Sequence, residues 1–239
     1  MLTLRWPVTL LAAFALAACE QIDSADIATH GIYADLEVVA SGNGTSVVRA
    51  ELRAGGDLSN VSVEVVGGDR LVATQGAASR TMGRRDDVLG RIWYEASFAT
   101  QAEDAPFGVA FLREAPLESA PDSAVTLPAP FAILAPEAGA TFSRSQGLLV
   151  RWSPSRYDPI TIRLAGPCLA PQAFALGVDR GAASIPAEML DPMPGAELET
   201  CDVVVSVVRW REGVVDPAYG EGGRFVASQV RAVVATSAP

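Results

Sequence analysis

The sequence predicts an all-β chain, two tandem antiparallel β-sandwich domains behind an N-terminal export signal. Three observations predict it. Apolar residues recur with period 2 in short runs along most of the 239 residues, as in strands buried on one face. Clusters of Gly, Asn, Asp and Pro separate those runs. No stretch carries the i, i+3, i+4, i+7 apolar spacing of an amphipathic helix over three turns.

The first residues are MLTLRWPVTLLAAFALAAC. Arg5 and the amino terminus form a short positive region, and Trp6 to Ala18 carry no charge. This run is shorter than the roughly 20 apolar residues a membrane-spanning helix needs, and it has the length and flanks of an export signal. Leu16-Ala17-Ala18-Cys19 resembles the lipobox of bacterial lipoproteins. The resemblance implies cleavage before Cys19 and acylation of that cysteine, so that the chain is held at a membrane by its lipid. Several acyl chains hold a protein firmly, at roughly 0.8 kcal/mol per buried CH2. In that family an Asp after the cysteine often retains the protein at the inner membrane. Glu20 and Gln21 stand here, so the expected location is the bacterial cell envelope at the outer membrane.

Residues 19–30 follow as a polar stretch without period and are expected to be a lipidated tether. The first domain is expected over 31–128. YADLEVVA places Ala34, Leu36 and Val38 on one face and Asp35 and Glu37 on the other; after the SGNGTS turn, VVRAELR puts Val48, Ala50 and Leu52 inward. Further alternation runs through Val61, Val63 and Val65, through Ile92, Tyr94, Ala96 and Phe98, through Phe107, Val109 and Phe111, and through Val125 and Leu127. LPAPFAILAPEAGA is rich in Pro and Ala, and Pro128 and Pro130 suit a boundary because Pro cannot donate within a central strand.

The second domain is expected over 129–239. Leu148, Val150 and Trp152 alternate, as do Ile160, Ile162 and Leu164. PAEMLDPM has room for a single helical turn before Pro192. CDVVVSVVRW is nearly continuous in Val, as expected of a strand central in a sheet or buried on both sides. GRFVASQVRAVVATS is the last run. GLLVRWSPS, with Trp152 ending an apolar strand, and PGAELETCDVVVSVV, a Pro-Gly turn into a Val-rich strand, resemble fibronectin type III and related Ig-like modules over 130–239. The tyrosine that family usually carries soon after the Pro-Gly turn is missing, and Cys201 lies nearby. A disulfide would then serve as the pin that the tyrosine provides elsewhere. Such folds host many unrelated roles.

Cleavage before Cys19 leaves 221 residues, and losing Arg5 takes the net charge from −10 to −11. Every basic residue is Arg, with no Lys. The acidic balance argues against nucleic acid as a partner, because phosphate binding needs a basic face. With Cys19 taken by lipid, Cys168 and Cys201 remain as an even pair in an exported chain, where disulfides persist. A bridge closes a loop of about 34 residues and constrains the unfolded chain by roughly 3–4 kcal/mol; two buried thiols are the alternative.

Counting residues excludes several chemistries. His30 is the only histidine, so a Ser-His-Asp triad would have to use it, and no G-x-S-x-G elbow is present. A two-His zinc motif cannot be written, two cysteines are too few for a thiolate zinc site, and a P-loop needs the absent Lys. No cofactor, metal or catalytic residue is expected. His30 reads as a solvated tether residue. Paired carboxylates stay open, since glycoside chemistry needs only two at the right separation.

Two connections are candidates for recognition. SRTMGRRDDVLGR, residues 79–91, gathers Arg80, Arg84, Arg85 and Arg91 in an otherwise acidic chain, and Arg forks suit carboxylates and phosphates. The plainer reading is that these arginines offset nearby acids. DPAYGEGGRF, residues 216–225, offers Tyr219 between Asp216 and Glu221, and Tyr on a loop is a frequent interface anchor; the plainer reading is a long hairpin turn. The chain is therefore expected to be a lipid-anchored envelope protein that binds an envelope protein or a surface polymer without catalysis. A carboxylate-based envelope glycan hydrolase and a carrier for an apolar ligand are the alternatives.

Overall fold

The computed structural model describes residues 20–153 and 157–239. The export signal and Cys19 lie outside the described residues. In the first half the period-2 runs become β1 (Gln21–Asp23), β2 (Ile32–Ala40), β3 (Ser46–Ala54), β4 (Ser62–Glu64), β5 (Arg70–Gln75), β6 (Ala78–Thr81), β7 (Gly83–Asp86), β8 (Ile92–Phe98), β9 (Pro106–Leu112) and β10 (Ala120–Thr126). In the second half they become β11 (Ile133–Ala135), β12 (Thr141–Ser143), β13 (Leu148–Trp152), β14 (Ile160–Gly166), β15 (Leu169–Leu176), β16 (Ala182–Ile185), β17 (Cys201–Glu212) and β18 (Gly223–Ala238). Helical structure among the described residues is limited to single 3-10 turns, one of them Ala187–Met189 where PAEMLDPM predicts a turn. The chain is all-β.

The strands form one eleven-stranded sheet, with a path β1-β4-β3-β2-β18-β17-β14-β15, and two smaller sheets, β10-β9-β5-β6 and β11-β13-β16. Two cores result. The first gathers Leu36, Val48, Leu52, Phe98, Phe107 and Phe111 with other buried side chains. The second gathers Val150, Trp152, Ile160, Ile162, Val203 and Val205. Each is a sandwich with the large sheet as one layer and a small sheet as the other.

The expected division after residue 128 does not hold for the C-terminal strand. β18 pairs with β17 through twelve successive residues, Val226 to Ser237 against Glu212 to Cys201, with no register shift. On its other edge Gly223–Gln229 pair in parallel with β2, and Thr236–Ala238 pair in parallel with β12. Tyr219, Phe225 and Ala227 lie in the first core, while Ala235 lies in the second. One strand thus belongs to both sandwiches. Side chains alternate along a strand, so an uninterrupted strand keeps its odd-numbered residues on one face. Phe225 and Ala227 meet the first core on that face; Val203, Val205, Val207 and Ala235 meet the second. Both cores lie on the same side of the large sheet. β17 is accordingly a central strand, but not one buried on both faces: Val204 and its partner Val234 are 43% and 47% exposed on the other side.

Between the cores the inward positions turn polar. Arg209 and Arg211 on β17 and Gln229 and Arg231 on β18 occupy the junction. Arg209 is wholly buried; it donates to Asp179 at 2.8 and 3.1 Å and to the carbonyls of Ala129 (2.6 Å) and Ser153 (3.1 Å), with its guanidinium 4.6 Å from the Phe131 ring. Trp152 Nε1 donates to the other Asp179 oxygen at 2.8 Å. Gln229 donates to the carbonyls of Gln101 and Pro128, and Arg211 to Asp104, Asp158 and Thr126. The Pro-rich connection supplies carbonyls with no ladder partner, and a buried carbonyl requires a donor. The arginines and the glutamine meet that requirement.

Residues 20–30 are not a free tether. β1 pairs in parallel with β4, and Ser24 and Thr29 are buried. The cause is Arg113, fully buried and paired with Asp69 at 3.0 Å, which donates to the carbonyls of Ile27 and Ser24 and to Thr29 Oγ1. His30 is exposed, as the sequence predicts, but sits on this docked segment, with Gly220 in close approach to its backbone.

Removing one partner of a buried ion pair leaves an uncompensated charge, at a cost of about 3–5 kcal/mol. Asp179→Ala is therefore expected to lower the stability of the chain by that amount in urea unfolding. A loss below about 1 kcal/mol would show that the junction does not depend on this pair.

Candidate functional site

The uncovered side of the large sheet carries the charged side chains that the alternation sends outward. β2 presents Asp35 and Glu37, β3 presents Arg49, Glu51 and Arg53, and β18 presents Arg224. Their cross-strand neighbours follow from the register: Glu37 lies opposite Arg49, and Asp35 opposite Glu51 and Arg224. The like-charged Asp35–Glu51 pair would be destabilising alone. Arg53 lies between them, 2.7 Å from Asp35 and 3.6 Å from Glu51, and Arg224 forks onto both Asp35 oxygens at 2.8 and 2.9 Å. With Arg91 these residues line a surface groove of about 470 Å³.

A second groove, of about 480 Å³, shares Asp35, Glu37 and Arg224 and continues across β18, β17 and β14. Its floor is more apolar, with Val39, Val208, Trp210, Val226 and Val230, and Arg163 and Glu212 flank it. The two grooves together cross β3, β2, β18, β17 and β14. Four inter-strand spacings of about 4.8 Å give a span of about 19 Å.

The ion pairs of this face are uneven. Arg49 stacks over the Trp93 ring at 4.5 Å, yet its nearest carboxylates, Glu37 and Glu51, stand at 3.8 and 4.0 Å, beyond hydrogen-bond reach. Arg91 is likewise 3.6 Å from Asp87 and 4.0 Å from Glu51. Burial pushes the Glu37 carboxyl above the usual carboxylate range, with Arg49 opposing the shift.

The expected recognition loops take other places. Residues 79–91 are largely strand: β6 joins the four-stranded sheet through β5, β7 joins the large sheet through β8, and buried Met82 lies at the crossing. Arg84 pairs with Glu64 and Asp86 at 2.9 Å, Arg85 faces Glu95 at 3.5 Å, and Arg80 lies over the Phe98 ring at 5.3 Å. Arg84 and Arg85 offset neighbouring acids, and RRDD lies at the end of a paired strand. Only Arg91 reaches the groove.

Tyr219 is not an exposed anchor. It is 2% exposed and lies parallel to the Phe111 ring, 6.4 Å between centroids. Val214 exchanges backbone hydrogen bonds with Ala124, and Gly213 approaches the Ala124 carbonyl too closely for any Cβ. The connection is thereby pressed onto the end of the first sandwich. Asp216 is also buried and accepts from the amides of Asp122 and Ala218 at 2.7 and 2.8 Å. Burial and the nearby Asp216 push the Tyr219 hydroxyl far up, so it stays protonated. Glu221 is exposed at the rim of this connection. Cys168 and Cys201 form a disulfide with Cα atoms 5.8 Å apart. Arg144 donates to Ser237 and to the carbonyls of Glu197 and Glu199 beside it. The sequence reading missed the groove because its residues come from separate strands. The outward parity of Asp35, Glu37, Arg49, Glu51 and Arg53 was its one visible signal.

No family model matches this chain, and no curated protein does. Among solved structures the chain is similar to a two-domain fibronectin type III segment from chicken tenascin, at 13% identity over 73% of this chain and 89% of that one, TM-score 0.23. It is also similar to a titin A168–169 substructure, at 10% identity over 86% and 97%, TM-score 0.25. The FN1–FN3 domains of chicken CNTN1 align at 10% identity over 91% and 68%, TM-score 0.24.

Among the described residues the Tyr219 hydroxyl has no hydrogen-bond partner. An unpaired buried hydroxyl carries a desolvation cost of about 1–3 kcal/mol. Tyr219→Phe is therefore expected to leave stability unchanged or to raise it by about 1 kcal/mol. Tyr219→Ala should lower it by about 3–5 kcal/mol, as for other large buried aromatics. Urea unfolding of both variants checks the assignment, and equal effects would contradict it.

Proposed function

We propose that this chain is a lipid-anchored protein of a bacterial cell envelope that acts as a non-catalytic binding or structural module. The observation that carries the reading is the single-sided arrangement of the cores. Because both lie on one side of the large sheet, the other side runs uncovered across both sandwiches, with a charged groove along it. An all-β sandwich frame with a rigid exposed face suits binding, since fixed elements position side chains better than loops do. The anchor rests on the residues of the lipobox, with Cys19 as the acylated position, and the outer membrane as destination rests on Glu20 and Gln21.

One observation favours a second reading, a carboxylate-based hydrolase of an envelope glycan. Glu37, raised by burial, neighbours Asp35, which two arginines hold. Two carboxylates in unlike surroundings are the raw material of acid–base chemistry. The apolar-carrier reading has only a small cleft of about 320 Å³ beside Ile162, Phe174, Leu176 and Ile185 to draw on, since interior positions of both cores are filled by large side chains such as Trp152, Phe111 and Leu36.

The anchor is tested in a bacterial host with an alkyne palmitate. The wild-type chain should incorporate the label and fractionate with membranes; Cys19→Ser should do neither. An unlabelled wild type would sink the anchor. A cross-linked pull-down from gently solubilised membranes tests the module, with one near-stoichiometric envelope component as the expected result. Release of reducing sugar from an envelope glycan by wild type and not by Glu37→Gln would replace this reading with the hydrolase.

A further inference from the structure

We propose that the outward groove binds a chain of acidic sugar units, carboxylate-bearing rather than neutral. This rests on the binding-module reading and names the ligand class of its uncovered face.

Charge makes the first part of the case. The chain as a whole is strongly acidic, −10 over 239 residues. The first groove reverses that balance, with four arginines against three carboxylates in its lining. Two of the four, Arg49 and Arg91, make no direct hydrogen bond to a carboxylate among the described residues, so their planar forks retain donors for a ligand anion. Arg224 stands 63% exposed where the two grooves meet, with both hydrogen bonds to Asp35 made from Nε and Nη2 and Nη1 left over.

The carboxylates separate a glycan from an acidic peptide. Glu37, Glu51 and Glu212 would repel a run of acidic side chains that brought no donors. They accept hydrogen bonds from hydroxyl groups, which a sugar supplies beside its own carboxylate. Half-buried Trp210 on β17 and the valines beside it add an apolar floor against which a sugar ring can pack. The span of about 19 Å across five strands favours an extended chain over a single small anion.

The test uses the full mature chain in mild detergent, with oligogalacturonate as the acidic glycan, dextran as the neutral glycan and poly-glutamate as the acidic peptide. Tryptophan fluorescence is the readout, because Trp93 lies under Arg49 and Trp210 lies in the groove. Saturable quenching by oligogalacturonate, absent with dextran and at least tenfold weaker with poly-glutamate, is expected. Arg49→Gln should weaken it at least tenfold. Arg91→Gln, on a half-exposed side chain that makes no direct hydrogen bond to a carboxylate among the described residues, should do the same with an unchanged melting temperature, so that a folding defect in the first variant cannot mimic the result. No saturable response to oligogalacturonate, an equal response to dextran or poly-glutamate, or wild-type binding by both variants would overturn the proposal. If the glycan fails while the pull-down yields an envelope protein, the module reading stands and only the ligand class falls.

Discussion

The continuous pairing of β18 is the constraint on which the rest of the structure depends. Sixteen residues run without a break from the first core to the second, held along one edge by β17 and along the other by β2 and then β12. A strand cannot change which residues face inward without a bulge or an extra residue. The ladder with β17 has no such irregularity. Both small sheets must therefore pack on the same side, and the opposite side must be left to solvent. The outward groove is a consequence of this parity, as is its reach across both sandwiches.

Parity also explains the polar junction. Arg209, Arg211, Gln229 and Arg231 occupy positions that would be apolar in either core, yet they fall between the two, where a Pro-rich connection crosses. Apolar side chains there would strand the carbonyls of Pro128, Ala129 and Ser153 without donors. The Arg209–Asp179 pair is consequently better read as a device for fixing geometry than as a source of net stability. Buried pairs often gain little over an apolar replacement of equal volume, whereas a broken pair costs much. What the pair secures is the relation of connection, Trp152 and β17.

Strand faces were legible in the sequence; strand partnerships were not. Leu36, Val48, Phe98, Phe111, Trp152 and Ile162 all point inward where period 2 puts them, because alternation is a local consequence of the backbone. The pairing of Gly223–Gln229 with Ala34–Ala40 joins residues 189 apart and leaves no local mark. One indirect sign existed. CDVVVSVVRWRE and GRFVASQVRAVVATSA are twelve and sixteen residues long, against roughly five or six for an ordinary strand, so each is long enough to serve two sandwiches. Arg113 shows the same limit. Nothing near it in sequence announces that its guanidinium folds residues 24–29 onto the first sandwich, although it is this contact that turns an expected tether into structure. Tyr219 misled for the opposite reason: Gly-rich surroundings suggest a mobile loop, but here they permit the close backbone approaches that bury the ring.

The docking of β1 bears on how the groove would be presented. Gln21 already pairs with Ser62, two residues beyond the proposed lipid site. A chain anchored at Cys19 would then have almost no spacer, and the edge of the large sheet that begins with β1 would lie close to the membrane. Residues 20–128 hold 17 acidic residues against 8 arginines, and residues 129–239 hold 11 against 9. The acidic excess thus sits in the part nearest the lipid, where anionic headgroups would repel it over a screening length of about 8 Å. Because β18 runs unbroken from one sandwich into the other, that repulsion would bear on the large sheet as a whole. The groove arginines that keep donors, Arg49, Arg91 and Arg224, would then meet soluble or polymeric ligands beside that membrane.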